Sequence, residues 1–161
     1  MIEFKITSLE QLQRFADSLA ARLPGRVTIG LVGTLGAGKT SLTQAIAGAV
    51  GIDRADVTSP TFTLLQSHQG KRSGGESLTL HHLDAYRVAD EDEFIELGVD
   101  ELFDEDNAWT IIEWADRVRT CLPEETLWLK ITLTSDSEAR IIKAWTTDPD
   151  LAAVLAGCEA S

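Results

Sequence analysis

Residues Gly33-Thr34-Leu35-Gly36-Ala37-Gly38-Lys39-Thr40 constrain this chain more than any other stretch. They follow Val27 to Val32, a nearly continuous apolar run of the kind buried on both faces of a parallel sheet. They open a segment in which Leu42, Ala45, Ile46, Ala49 and Val50 recur on one helical face, with Gly51 placed as a C-terminal stop. Glycines in so short a strand-to-helix link let successive backbone N–H groups curl inward as an anion nest. The helix start adds about half a positive charge on the same side. This G-x-x-x-x-G-K-T unit therefore predicts a phosphate cradle, in which Lys39 neutralises β- and γ-phosphates and the Thr40 hydroxyl ligates magnesium.

The remaining chain alternates strand and helix signals. Ile2 to Ile6 alternates apolar and polar like a short strand, and Ser8-Leu9-Glu10-Gln11 reads as a capping box before Leu12, Phe15, Ala16, Leu19 and Leu23 at helical spacing. Pro24-Gly25 ends that helix. Phe62 to Gln66 and Ser77 to Leu83 are predicted strands of a hairpin around an exposed polar loop, His68 to Gly75. Short helices are predicted over 90–97 and 99–103, a buried strand over 108–113, a strand pair over 127–133 and 140–145, and a final helix over 148–155. The fold class is α/β: a three-layer P-loop sandwich with a mixed, mostly parallel sheet, in one domain spanning 1–161.

Composition narrows the partners. A net charge of -12 opposes unaided binding to a phosphate backbone. Ten acids between Asp90 and Asp106, with no Lys or Arg among them, form either a solvated helix face or a docking surface for a basic partner. Met1-Ile2-Glu3-Phe4-Lys5 is not the basic start of a secretory signal, and no apolar run approaches the roughly 18 residues of a membrane helix, so a cytoplasmic protein is expected. Cys121 and Cys158 form no C-x-x-C pair and are expected as ordinary thiols.

A phosphate loop needs a metal carboxylate and a group that polarises water, both at carboxyl ends of neighbouring strands. Glu113 follows Trp109-Thr110-Ile111-Ile112, and Asp84 ends Leu78 to Leu83. Glu113 is assigned to the magnesium shell and Asp84 to water activation or the outer shell; the reverse assignment fits the sequence equally. His82 shares a strand face with Asp84 and is expected to orient it, whereas an iron site built on H-x-D lacks a second histidine in place. Lys39 is expected to be an exposed loop lysine. Trp114 is read as core packing or as a ring beside the nucleotide, and Thr58 to Thr63 as a loop that senses a γ-phosphate or a Pro-rigidified turn. Asn107 is followed by Ala108, so the N-K-x-D guanine reader is absent. A small-molecule kinase and a nucleotide-sensing binding module remain the competing classes.

Taken together, Gly33 to Thr40, Ser59-Pro60-Thr61-Phe62-Thr63-Leu64, His82-Leu83-Asp84-Ala85-Tyr86-Arg87 and Ile112-Glu113-Trp114 resemble the TsaE (YjeE) family over nearly the whole chain. The resemblance implies a bacterial ATPase, with ATP and Mg2+ as cofactors, that works with TsaB and TsaD in tRNA threonylcarbamoyladenosine formation and meets tRNA only through that complex. By position it implies nucleotide contacts from Gly33, Thr34, Leu35, Gly36, Ala37, Gly38, Lys39, Thr40, Ser41 and Trp114. It implies metal contacts from Thr40 and Glu113, and catalytic roles for Lys39, Thr61, Asp84 and Glu113. Thr34 stands where the family usually carries an acid, Ser41 where it usually carries Thr, and Ala85 where it carries a larger apolar residue.

Overall fold

The computed structural model describes residues 1–59 and 64–159. Seven strands, β1 (Ile2–Ile6), β2 (Arg26–Val32), β3 (Leu65–Lys71), β4 (Ser77–Asp84), β5 (Ala108–Glu113), β6 (Leu127–Leu133) and β7 (Arg140–Trp145), form one sheet in the order β1-β7-β6-β2-β5-β4-β3. The centre, β6-β2-β5-β4, is parallel, and the pairings toward both edges are antiparallel. The expected α/β sandwich with a mixed sheet is therefore present. Helices α1 (Leu9–Arg22), α2 (Lys39–Ala49), α3 (Glu91–Glu96), α4 (Val99–Phe103) and α5 (Pro149–Ala156) divide between its two faces. Residues of α1, α2 and α5 pack on one face, and α3, α4 and a 3-10 segment, Ala115–Cys121, pack on the other.

Local chemistry explains these elements. Every residue of β5 is buried, and β2 is buried from Val27 to Leu31, which is why both read as mostly apolar runs. Helix α1 begins where the Ser8 hydroxyl accepts the Gln11 N–H at 3.1 Å. The expected box is displaced by one residue, because the Gln11 side-chain oxygen accepts the N–H of Thr7, at 2.7 Å, instead of that of Ser8. Phe15 lies against Phe4 with ring centroids 4.7 Å apart. Trp109, fully buried, donates its indole N–H to the Pro24 carbonyl at 2.8 Å, joining β5 to the end of the first helical unit.

The hairpin departs from expectation. Strand β3 continues through His68 to Lys71, and the turn is confined to 72–76. Its polar composition suits an edge strand with one wet face, where sequence alone suggested a loop. Gly70 is needed there: a Cβ would stand 2.6 Å from the Val50 carbonyl oxygen, and the next amide, Lys71 N–H, donates to that carbonyl at 2.8 Å. Among the described residues no helix is long and apolar enough to cross a membrane.

The parallel registers matter most for function. Leu31 lies opposite Glu113, and Asp84 opposite Glu113, so β2, β4 and β5 deliver their carboxyl ends side by side beneath the start of α2.

Candidate functional site

The loop between β2 and α2 is shaped by its glycines. Gly36 and Gly38 have φ of 79° and 113°, conformations that side-chain-bearing residues rarely adopt. A Cβ on Gly33 would come within 2.8 Å of the Ile131 carbonyl oxygen. Helix α2 starts at Gly38 with no side-chain cap, leaving its first-turn amides without the usual side-chain acceptor. Such a start favours an anion.

Lys39 is buried, not exposed as its loop position suggested, with only 5% of its surface accessible. Its Nζ donates to the carbonyls of Gly33 at 2.8 Å and Thr34 at 2.9 Å, and stands 3.9 Å from the centroid of the Trp114 ring. Burial lowers its pKa, while the charges of Glu113, Asp84 and Asp116 act in the opposite direction. The lysine thus props the loop from inside while holding its charge beneath it.

Thr40 and Glu113 meet directly. The Thr40 hydroxyl donates to Oε1 of Glu113 at 2.9 Å, with Oε2 at 3.2 Å. Glu113 is nearly fully buried, and its Oε2 also contacts Nε2 of His82. His82 therefore contacts Glu113 and not Asp84, which corrects the expectation from H-x-D spacing. His81, on the opposite strand face, bonds Ser67 and Glu105, each at 2.7 Å. Asp84 accepts the Tyr86 N–H at 2.8 Å on one oxygen and the Ser59 hydroxyl at 3.2 Å on the other. Its carboxylate remains at the mouth.

Trp114 follows Glu113 with φ 59° and ψ 36°, a left-handed conformation that is uncommon for a bulky residue and marks a constrained site. This turn brings its ring into the cleft, 4.8 Å from that of Tyr86. A cavity of about 420 Å³ opens there, and Gly36, Gly38, Lys39, Thr40, Ser41, Asp84, Glu113 and Trp114 all line it. Leu35 lines it from an exposed tip. Gly33, Thr34 and Ala37 stand behind the lining, with the first two supplying the carbonyls that hold Lys39. Thr61 lies outside the described residues.

Arg140, too little by itself in the sequence to infer a kinase lid, reaches the glycine loop. Its Nε donates to the Ala37 carbonyl at 2.7 Å, and a Cβ on Gly38 would stand 2.9 Å from that nitrogen. No spacing signal announces a contact between residues 103 apart.

A family model described as threonylcarbamoyl adenosine biosynthesis protein TsaE matches residues 6–142. The chain belongs to the TsaE family. It is 33% identical over 137 residues to the tRNA threonylcarbamoyladenosine biosynthesis protein TsaE of Treponema pallidum, covering 85% of this chain and 96% of that one. The TsaE protein of Bacillus subtilis is 36% identical over 141 residues, with 87% and 83% covered. The crystal structure of Bacillus subtilis YdiB superposes with a TM-score of 0.75 at 26% identity, over 96% of this chain and 91% of that one. The TsaE match contains the whole glycine loop, Asp84, Glu113 and Trp114, and also Arg140. Membership in TsaE places the chain in a family of tRNA threonylcarbamoyladenosine biosynthesis proteins.

Proposed function

We propose that this chain is a single-domain, magnesium-dependent ATPase that acts as an accessory protein of tRNA threonylcarbamoyladenosine formation, together with TsaB and TsaD in the cytoplasm. The observation that carries the reading is the Thr40 hydroxyl on the Glu113 carboxylate, directly beside an uncapped helix start. A hydroxyl and a carboxylate are the hard oxygen donors that magnesium selects, and one or two protein ligands suffice when phosphates and waters complete the shell. The donor set therefore fits the ion.

In this reading the amides of the glycine loop and the first turn of α2 bind the phosphates. Lys39 exchanges its two loop carbonyls for β- and γ-phosphate oxygens, and Thr40 and Glu113 hold magnesium. When bound, magnesium supplies positive charge against the phosphate oxygens. Asp84, at the mouth and in register with Glu113, orients the water that attacks the γ-phosphorus as ADP leaves. Trp114 closes the cleft beside Lys39 and excludes water from it. Thr61 serves as the γ-phosphate sensor, a role resting on its sequence position. The net charge of -12 agrees with tRNA being held by the partners instead of this chain.

The test is phosphate release from ATP and from GTP by the purified chain, with and without TsaB and TsaD. Weak release alone, stimulation by the pair and preference for ATP are the expected results. Equal use of GTP or full activity without partners would refute the accessory role, and transfer of label to a metabolite in place of release would identify a kinase.

A further inference from the structure

His82 is fully buried on β4, yet the phosphate cradle makes no direct use of it. Its Nε2 meets Oε2 of Glu113, so the carboxylate is gripped by an imidazole on one side and the Thr40 hydroxyl on the other. A neutral imidazole that donates from Nε2 must present Nδ1 as an acceptor. That Nδ1 is buried and has no hydrogen-bond partner among the described residues, and the same holds for Oε1 of Gln66 and Nε2 of His68.

Strand pairing gathers these three atoms. Gln66 is directly opposite His82, and His68 is opposite Leu80, which puts all three side chains on one face of the β3-β4 ladder. None of the three is hydrogen-bonded to another. Two are acceptors and the third, a ring nitrogen, can donate. One water, with two donors and an acceptor lone pair, satisfies all three.

We propose that a buried water joins His82 Nδ1, Gln66 Oε1 and His68 Nε2, and that His82, fixed by it as the Nε2–H tautomer, is the positioning residue of Glu113. Gln66 extends this link, because its amide donates to the Thr58 hydroxyl at 3.1 Å, and the following residue, Ser59, bonds Asp84. Both carboxylates at the cleft are thus braced from behind by one connected set of groups. The magnesium arm of the test below rests on the function proposed above; the other arms do not.

In the free chain, nitrogen NMR is expected to show His82 protonated at Nε2 and bare at Nδ1. A crystal structure that orders internal solvent should show one water within hydrogen-bond distance of all three atoms. An Nδ1–H tautomer or a dry gap overturns the inference. Where ATP affinity is titrated against magnesium, His82→Phe should raise the half-effective magnesium concentration by roughly 10- to 100-fold, as for other residues that orient a metal ligand. His82→Gln keeps an N–H donor near the Nε2 position and should stay within about threefold. Equal losses in both variants would reduce His82 to packing and sink the proposal. Gln66→Met, on the partly exposed edge strand, supplies a variant that leaves the core intact, and it should shift the Nδ1 resonance of His82; an unchanged resonance also overturns the bridge. If wild-type ATP binding ignores magnesium, the functional reading fails while the tautomer and solvent results still decide this inference.

Discussion

Thr40→Val removes one hydroxyl and leaves the shape of α2 almost unchanged, which makes it the sharpest probe of the Thr40–Glu113 contact. The wild-type hydroxyl donates to a carboxylate that is 2% exposed. A hydrogen bond to a charged group contributes about 1.5–3 kcal/mol, and its loss leaves His82, among the described residues, as the remaining side-chain donor to Glu113. A chain of this length loses about 2–4 °C of melting temperature per kcal/mol, so a fall of roughly 3–12 °C is expected in a thermal melt of the free protein. Nucleotide binding should separate into two parts. ATP affinity without magnesium rests on the loop amides and Lys39 and should be retained, whereas the gain in affinity on adding magnesium should shrink at least tenfold through the loss of one ligand. Calorimetric titration of ATP at a series of magnesium concentrations measures both. A variant that melts within about 1 °C of wild type and keeps its magnesium dependence would refute the reasoning, because neither the bond nor the metal role would then exist.

Lys39→Met keeps the apolar stem and removes the charge that burial already penalises, so the fold should persist while ATP affinity falls by at least about 30-fold, the equivalent of 2 kcal/mol; titration with and without magnesium tests this. Gly38→Ala introduces a Cβ at φ 113°, 2.9 Å from the Arg140 Nε, and should abolish nucleotide binding by displacing the loop while far-UV circular dichroism stays native. Burial raises the pKa of the Cys158 thiol, so its alkylation at neutral pH should be slower than in the urea-unfolded chain. The sign of the linked stability follows: a folded-state thiol pKa above the unfolded value contributes stability that is present below the unfolded pKa and declines as pH rises through the folded one. Urea midpoints of wild type and Cys158→Ala should therefore converge at alkaline pH, and parallel pH curves would count against it.

What the sequence determined by itself was local. The glycine loop is legible because its backbone conformations and its strand and helix neighbours lie within a single continuous segment. Strands β2 and β5 announced themselves by apolar runs, and α1 by its period and its serine cap, since burial on two faces or one stripe leaves a direct pattern. The second half of edge strand β3, His68 to Lys71, reads as a loop because its wet, polar face mimics one, and Lys39 reads as exposed although a cation can be buried when two carbonyls and an aromatic ring receive it. Tertiary structure alone decided which groups meet. Both carboxylates were named from strand ends, but only the parallel register of β4 and β5 set them side by side, and only the approach of α2 put the Thr40 hydroxyl on Glu113, 73 residues away. The turn of the His82 ring to Glu113 instead of Asp84, and the reach of Arg140 across 103 residues to Ala37, have the same origin. Spacing along a chain fixes the face on which a side chain emerges, while its partner depends on which other strand or helix is packed against that face.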